Sequence, residues 1–162
     1  MCRVSFNTTP SGATVVVKNS SNETVSPIDG GYYDLVAGNY TYTVSADHYT
    51  TKSNQSLTIS SSDVTTGTKT VNVTLTRSEC EVTFSTTPAD ATIVVKDGDS
   101  ETITATGGKY YLTAGSYTYT ATAEGYTTIT DEAFTISSGD VSTGTKTITV
   151  TMTEAEQQGG QE

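Results

Sequence analysis

Ten tyrosines are the residues of this chain best suited to touch a ligand. An aromatic face with a hydroxyl at its edge can stack on a sugar ring and hydrogen-bond beside it. The adjacent pairs Tyr32-Tyr33 and Tyr110-Tyr111 stand out. Neighbours on a strand point to opposite faces, so one tyrosine of each pair must face out. All four are candidate glycan contacts. Tyr40, Tyr42, Tyr117 and Tyr119 alternate in step with Val44 and Ala46 or with Ala121 and Ala123, which places them in or beside a core. Tryptophan, the strongest stacking platform, is absent.

The remaining reactive side chains do not assemble into a catalytic set. Cys2 and Cys80 stand at matching places in two similar segments, so neither has a partner within its own fold and both read as buried free thiols, with a bridge between chains through Cys2 as the alternative. No base is repeated beside either thiol, which argues against a nucleophile. The only histidine, His48, has Gly125 as its counterpart and reads as a surface turn residue. Asp97, Asp99 and Glu101 alternate as calcium ligands can, but Thr102 and Gly108 stand where a twelve-residue calcium loop needs Gly and Glu. Lys18 and Asn72 could be proposed for an intramolecular amide bond, but Thr149 replaces Asn72 in the second segment and no acid lies on an apolar face to promote it. Asn7, Asn19, Asn22, Asn39, Asn54 and Asn72 all lie in N-x-Ser/Thr sequons, in a chain where a third of the residues are Ser or Thr. The expectation is a chain with no catalytic residues, no cofactor and no metal site.

Composition supports that reading. The 162 residues carry 18 Asp and Glu against 8 Lys and Arg, a net charge of −10 that would repel a phosphate backbone, so no nucleic-acid partner is expected. No run approaches the 18 or so apolar residues that cross a bilayer, and no basic stretch followed by an apolar one marks a signal peptide. The 36 Thr and 18 Ser, with Val and Tyr, favour strands over helices.

The chain is a tandem repeat. Cys2–Lys18 (CRVSFNTTPSGATVVVK) matches Cys80–Lys96 (CEVTFSTTPADATIVVK) at an offset of 78. ISSSDVTTGTKTVNVTLT matches ISSGDVSTGTKTITVTMT at an offset of 77, so the second copy lacks one residue, placed near Asp34. Cys2–Thr76 aligned on Cys80–Thr153 gives 41 identities in 74 pairs. The expected organisation is a β-sandwich repeat over 2–76, a short stiff linker at 77–79, a second repeat over 80–153, and a disordered acidic tail over 154–162.

Each repeat reads as about seven short strands. Cys2, Val4 and Phe6 share one face, and Pro10 ends that strand. Ala13–Lys18 is a second strand and Asn19–Asn22 a turn. Tyr33 and Leu35 lead through Ala37-Gly38 into the clearest period of two, Tyr40–Ala46. Leu57 and Ile59, then Val71, Val73 and Leu75, mark the last two. Turns at this spacing predict an all-β fold of two tandem antiparallel sandwiches, with the modules arranged as an elongated rod.

Thr9-Pro10 with Gly12-Ala13 opening a strand, then Ala37-Gly38-x-Tyr40 and Ala46 before Tyr49, resembles the PEGA family. It also resembles the Ig-like and prealbumin-like tandem repeats of bacterial, especially Gram-positive, surface proteins. Thr87, Pro88, Ala91, Ala114, Gly115, Tyr117, Ala123, Gly125 and Tyr126 carry the likeness in the second copy, where Asp90 replaces the motif glycine. The resemblance implies an extracellular module of the cell surface or cell wall, acting as spacer, stalk or adhesion module without catalysis. Its implied partners are neighbouring repeats of the same parent protein and a host or cell-wall glycan or protein. The alternative function is a carbohydrate-binding module built on exposed tyrosines.

Overall fold

The computed structural model describes residues 1–156. The chain divides into two compact units, Met1–Thr76 and Arg77–Glu162. Within the first run β1 (Cys2–Thr9), β2 (Thr14–Lys18), β3 (Thr24–Val25), β4 (Tyr33–Leu35), β5 (Gly38–Ser45), β6 (Lys52–Ile59), the short helix α1 (Ser61–Thr66) and β7 (Thr68–Thr74). The second repeats this as β8 (Cys80–Thr87), β9 (Thr92–Lys96), β10 (Thr102–Ile103), β11 (Tyr110–Leu112), β12 (Gly115–Thr122), β13 (Ile129–Ile136), α2 (Ser138–Thr143) and β14 (Thr145–Thr151). Seven strands per module match the sequence expectation.

In the first unit a three-stranded sheet, β4-β1-β7, faces a four-stranded one, β3-β2-β5-β6. Strand alternation supplies the core between them: Cys2 and Val4 of β1, Tyr33 and Leu35 of β4, Val17 of β2, and Leu57 and Ile59 of β6 form one buried cluster. Val44, Val73 and Leu75 form a second. Each side chain so buried contributes about 1.5–3 kcal/mol, which a chain this poor in aliphatics needs. In the second unit Cys80, Val82, Leu112, Val95 and Ile136 hold the matching places in one larger core.

One pair in each module departs from the antiparallel arrangement. β7 runs parallel to β1, in register from Arg3 opposite Thr68 to Thr9 opposite Thr74. β14 runs parallel to β8, from Glu81 opposite Thr145 to Thr87 opposite Thr151. The cause is local. After β6 the chain does not turn back as a hairpin; α1 carries it from the four-stranded sheet to the three-stranded one. Ser60 caps that helix in a reciprocal box with Asp63, and Gly67 ends it at φ +83, a left-handed conformation open to glycine.

The expected tail at 154–162 needs correction at its start. Glu154 forms an isolated bridge with Tyr126, and the Ala155 N–H donates to the Gly125 carbonyl at 2.8 Å. Residues 157–162 lie outside the described residues.

Candidate functional site

The two tyrosine pairs separate by face. Tyr33 is 3% exposed and Tyr110 is 7% exposed, so neither can stack on a ligand, which corrects their candidacy as glycan contacts. Their hydroxyls donate across to the other sheet, Tyr33 to the Val15 carbonyl and Tyr110 to the Ile93 carbonyl, both at 3.0 Å. Their rings meet Phe6 and Phe84 edge-on, and burial pushes both phenols above their ordinary pKa. These matched roles identify Tyr33 with Tyr110.

That identity moves the missing residue. Leu35 lies opposite Cys2 and Leu112 opposite Cys80, so Asp34 is equivalent to Tyr111. The turn bridged by Ile28 and Tyr32 matches the turn bridged by Thr106 and Lys109, and the second is one residue shorter. The deletion therefore lies within that turn, not at Asp34.

The outer face of the three-stranded sheet then shows an exchange of residue types. In the first module Arg3 stands opposite Asp34, with Nε 3.4 Å from Oδ1, and its guanidinium lies 5.7 Å from the centre of the Tyr32 ring. In the second Glu81 stands opposite Tyr111, whose hydroxyl donates to Oε2 at 3.4 Å, while Lys109 reaches Oε1 at 2.7 Å. Each module therefore presents one tyrosine, one carboxylate and one cation at three equivalent places, in a different order. The Lys109 ammonium holds Glu81 below its ordinary pKa, and Glu81 raises Lys109. Tyr32 is 39% exposed, and its ring lies so close to Gly30, where φ is +85, that a side chain there would meet it at 2.8 Å.

The other candidates are absorbed by the fold. Cys2 and Cys80 are free and fully buried, and burial raises the Cys80 thiol. His48 sits in a turn at φ 67, where Gly125 has φ +78. The Asp97 carboxylate accepts the N–H groups of Asp99 and Glu101 at 3.0 and 2.9 Å, closing its turn, and Asn19 does the same for Ser21 and Glu23. Lys18 and Asn72 are not together: Lys18 Nζ donates to Asn22, and Asn72 Oδ1 accepts from Asn7.

One cluster was not singled out in the sequence. Asp63 Oδ2 accepts from the Ser60 N–H (2.8 Å), the Ser60 hydroxyl (2.7 Å) and Lys69 Nζ (2.9 Å). Lys69 also donates to the Thr58 carbonyl at 3.0 Å, tying β6, α1 and β7 together. Ser137, Asp140, Lys146 and Thr135 repeat the clip within 0.1 Å. The Ser60 N–H first, then Lys69, lowers the Asp63 carboxyl to about 2; Ser137 and Lys146 do the same for Asp140. The signal was present as Ser-x-x-Asp with Lys six residues further on, a capping box with a cation from the next strand.

No helix is long and apolar enough to cross a membrane among the described residues. No protein-family model matches the chain, and no curated protein is significantly similar to it. Among solved structures, the Bacillus anthracis TIE protein is similar at 15% identity and a TM-score of 0.31, over 95% of this chain. The chain spans 33% of that protein's length. A mutant of the shaft pilin spaA from Lactobacillus rhamnosus GG is similar at 9% identity and a TM-score of 0.49, over 94% of this chain and 97% of its own. A C-terminal fragment of the pilus adhesin SpaC from the same organism is similar at 12% identity and a TM-score of 0.37, over 98% of this chain and all of its own.

Proposed function

We propose that the chain is a non-catalytic spacer of a larger cell-surface protein, each module carrying the polypeptide from one end of a sandwich to the other. The observation behind this is the parallel pairing of first and last strands. Because β1 and β7 run the same way, the chain enters a module at one end and leaves at the opposite end, and β8 with β14 repeats it. The six intervals between the seven residue pairs, at about 3.3 Å each, give a step of about 20 Å per module. The rest fits a spacer. Reactive side chains are spent on cores, caps and turns, while threonines cover the outer face of β14 and, with Asn72, that of β7. The joint at Arg77-Ser78-Glu79 has neither Gly nor Pro, which favours a stiff connection.

The test is one of scaling. The chain is placed between a cell-wall anchor and a fluorescent reporter, in one, two and three copies, and reporter height above the surface is measured. A spacer raises the height in proportion to copy number. Growth with the square root of copy number, the behaviour of a flexible string, or no growth at all would sink the reading.

The second reading is a glycan-contact surface, and it now keeps only Tyr32 and Tyr111. What favours it is the recurrence of tyrosine, carboxylate and cation on the same outer face of both modules. Retention of the chain on arrayed polysaccharides, lost in a Tyr32→Ala, Tyr111→Ala variant, would bring it forward.

A further inference from the structure

We infer that each module is a tension-bearing unit whose parallel terminal strands form a shear clamp, β1 with β7 and β8 with β14. The inference takes its purpose from the spacer reading, but its test does not depend on that reading.

The clamp follows from topology. Tension on a tethered chain acts at the N-terminal end of β1 and the C-terminal end of β7. These are opposite ends of two parallel strands in register over seven residue pairs. The strands can separate along that direction only by sliding, and sliding loads the evenly spaced hydrogen bonds of a parallel ladder together. Peeling would load them one at a time. The ladder is closed at both ends: the Arg3 N–H donates to the Gly67 carbonyl and the Leu75 N–H to the Thr9 carbonyl, each at 2.8 Å. The second module matches, with Glu81 donating to Gly144 at 3.0 Å and Met152 to Thr87 at 2.8 Å.

Side chains resist sliding as well. On the outer face Ser5 meets Thr70 and Asn7 meets Asn72, each at 3.1 Å, and Thr83 meets Thr147 at 3.1 Å. On the inner face Val4 and Val73, or Val82 and Val150, are buried at 3% exposure or less and would leave the core if the strands slipped. The Lys69 and Lys146 clips anchor β7 and β14 near their starts, against α1 or α2 and the end of the preceding strand. Resistance to force is a matter of the unfolding rate along the pulled direction, so it depends on this geometry and not on equilibrium stability alone.

Single-molecule force spectroscopy on the full chain tests the clamp by changing only where the force is applied. With handles at Met1 and Glu162, both ladders are sheared. With handles at Met1 and at the exposed Thr66 through Thr66→Cys, force acts on the adjacent starts of β1 and β7 and peels them apart. The clamp requires two unfolding events in the first geometry, each releasing about 23 nm of chain for some 75 residues. It also requires the first module to open at a lower force when peeled, since bonds then break singly. Equal forces in both geometries would overturn the clamp and leave the spacer reading standing, as would two events at the lower force in the sheared geometry. Failure of the spacer reading would show separately, as reporter height that does not scale with copy number.

Discussion

Asp63 and Lys69 lie 2.9 Å apart, and with the Thr58 carbonyl and Ser60 they fasten the two sheets of the first module where its chain crosses between them. Asp140 and Lys146 do so in the second module at the same 2.9 Å. A six-residue helix is too short to stand on its own propensity; cap and clip hold it, and the helix in turn sets the direction of the last strand.

Acid should therefore weaken both modules together. Each aspartate is lowered from 3.8 to about 2 in the folded chain, so the folded state binds fewer protons than the unfolded one between those values. The stabilisation is complete above the unfolded value and is lost as pH falls through about 4 toward 2. Denaturant midpoints should be level near neutrality and drop across that window, and an Asp63→Asn, Asp140→Asn variant should show a shallower drop. An equal drop in the variant would mean that other carboxylates set the acid response.

Tyr33 and Tyr32 should behave as opposites. Tyr33→Phe removes the donor to the Val15 carbonyl and should cost about 1 kcal/mol, while Tyr33→Ala should cost about 3–5 kcal/mol by opening the core. Tyr32→Ala should stay within about 0.5 kcal/mol, as for an exposed side chain. Equilibrium denaturation of the three variants checks this; a costly Tyr32→Ala would contradict the register of β4 on β1.

That register also shows where the sequence stopped being legible. Placing the one-residue gap at Asp29 instead of Asp34 gives the same 41 identities in 74 pairs, because Gly30–Gly108, Tyr32–Tyr110 and Tyr33–Tyr111 are replaced by Gly30–Gly107, Gly31–Gly108 and Tyr33–Tyr110. Identity cannot choose, whereas the pairing of Leu35 with Cys2 and Leu112 with Cys80 can. The period of two from Tyr40 to Ala46 announced β5, and Cys2-x-Val4-x-Phe6 announced β1, because burial on one face writes itself into alternation. The parallel run of β7 left no such mark. Alternation is the same in both directions, and only the capped turn at Ser60–Gly67 decides which way the strand comes. The exchange between Arg3 and Glu81 was equally silent, since each charge makes sense only beside the partner across the strand.

Both cysteines should be chemically silent while the chain is folded. Cys2 and Cys80 have no exposed surface, and burial raises the Cys80 thiol, so little thiolate is formed and no reagent reaches it. A thiol titration should count none in buffer and two in denaturant. Labelling of Cys2 without denaturant would show that the first strand frays, and would reopen pairing between chains through it.

The central claim is that each module takes the chain in at one end and releases it at the other, and a distance between spin labels at Arg3→Cys and Thr74→Cys tests it most directly. Parallel pairing places Thr74 beside Thr9, six residues along β1 from Arg3, so the backbone separation should be about 20 Å. A separation near 5 Å, the spacing of residues directly opposite in an antiparallel pair, would contradict both the spacer and the clamp.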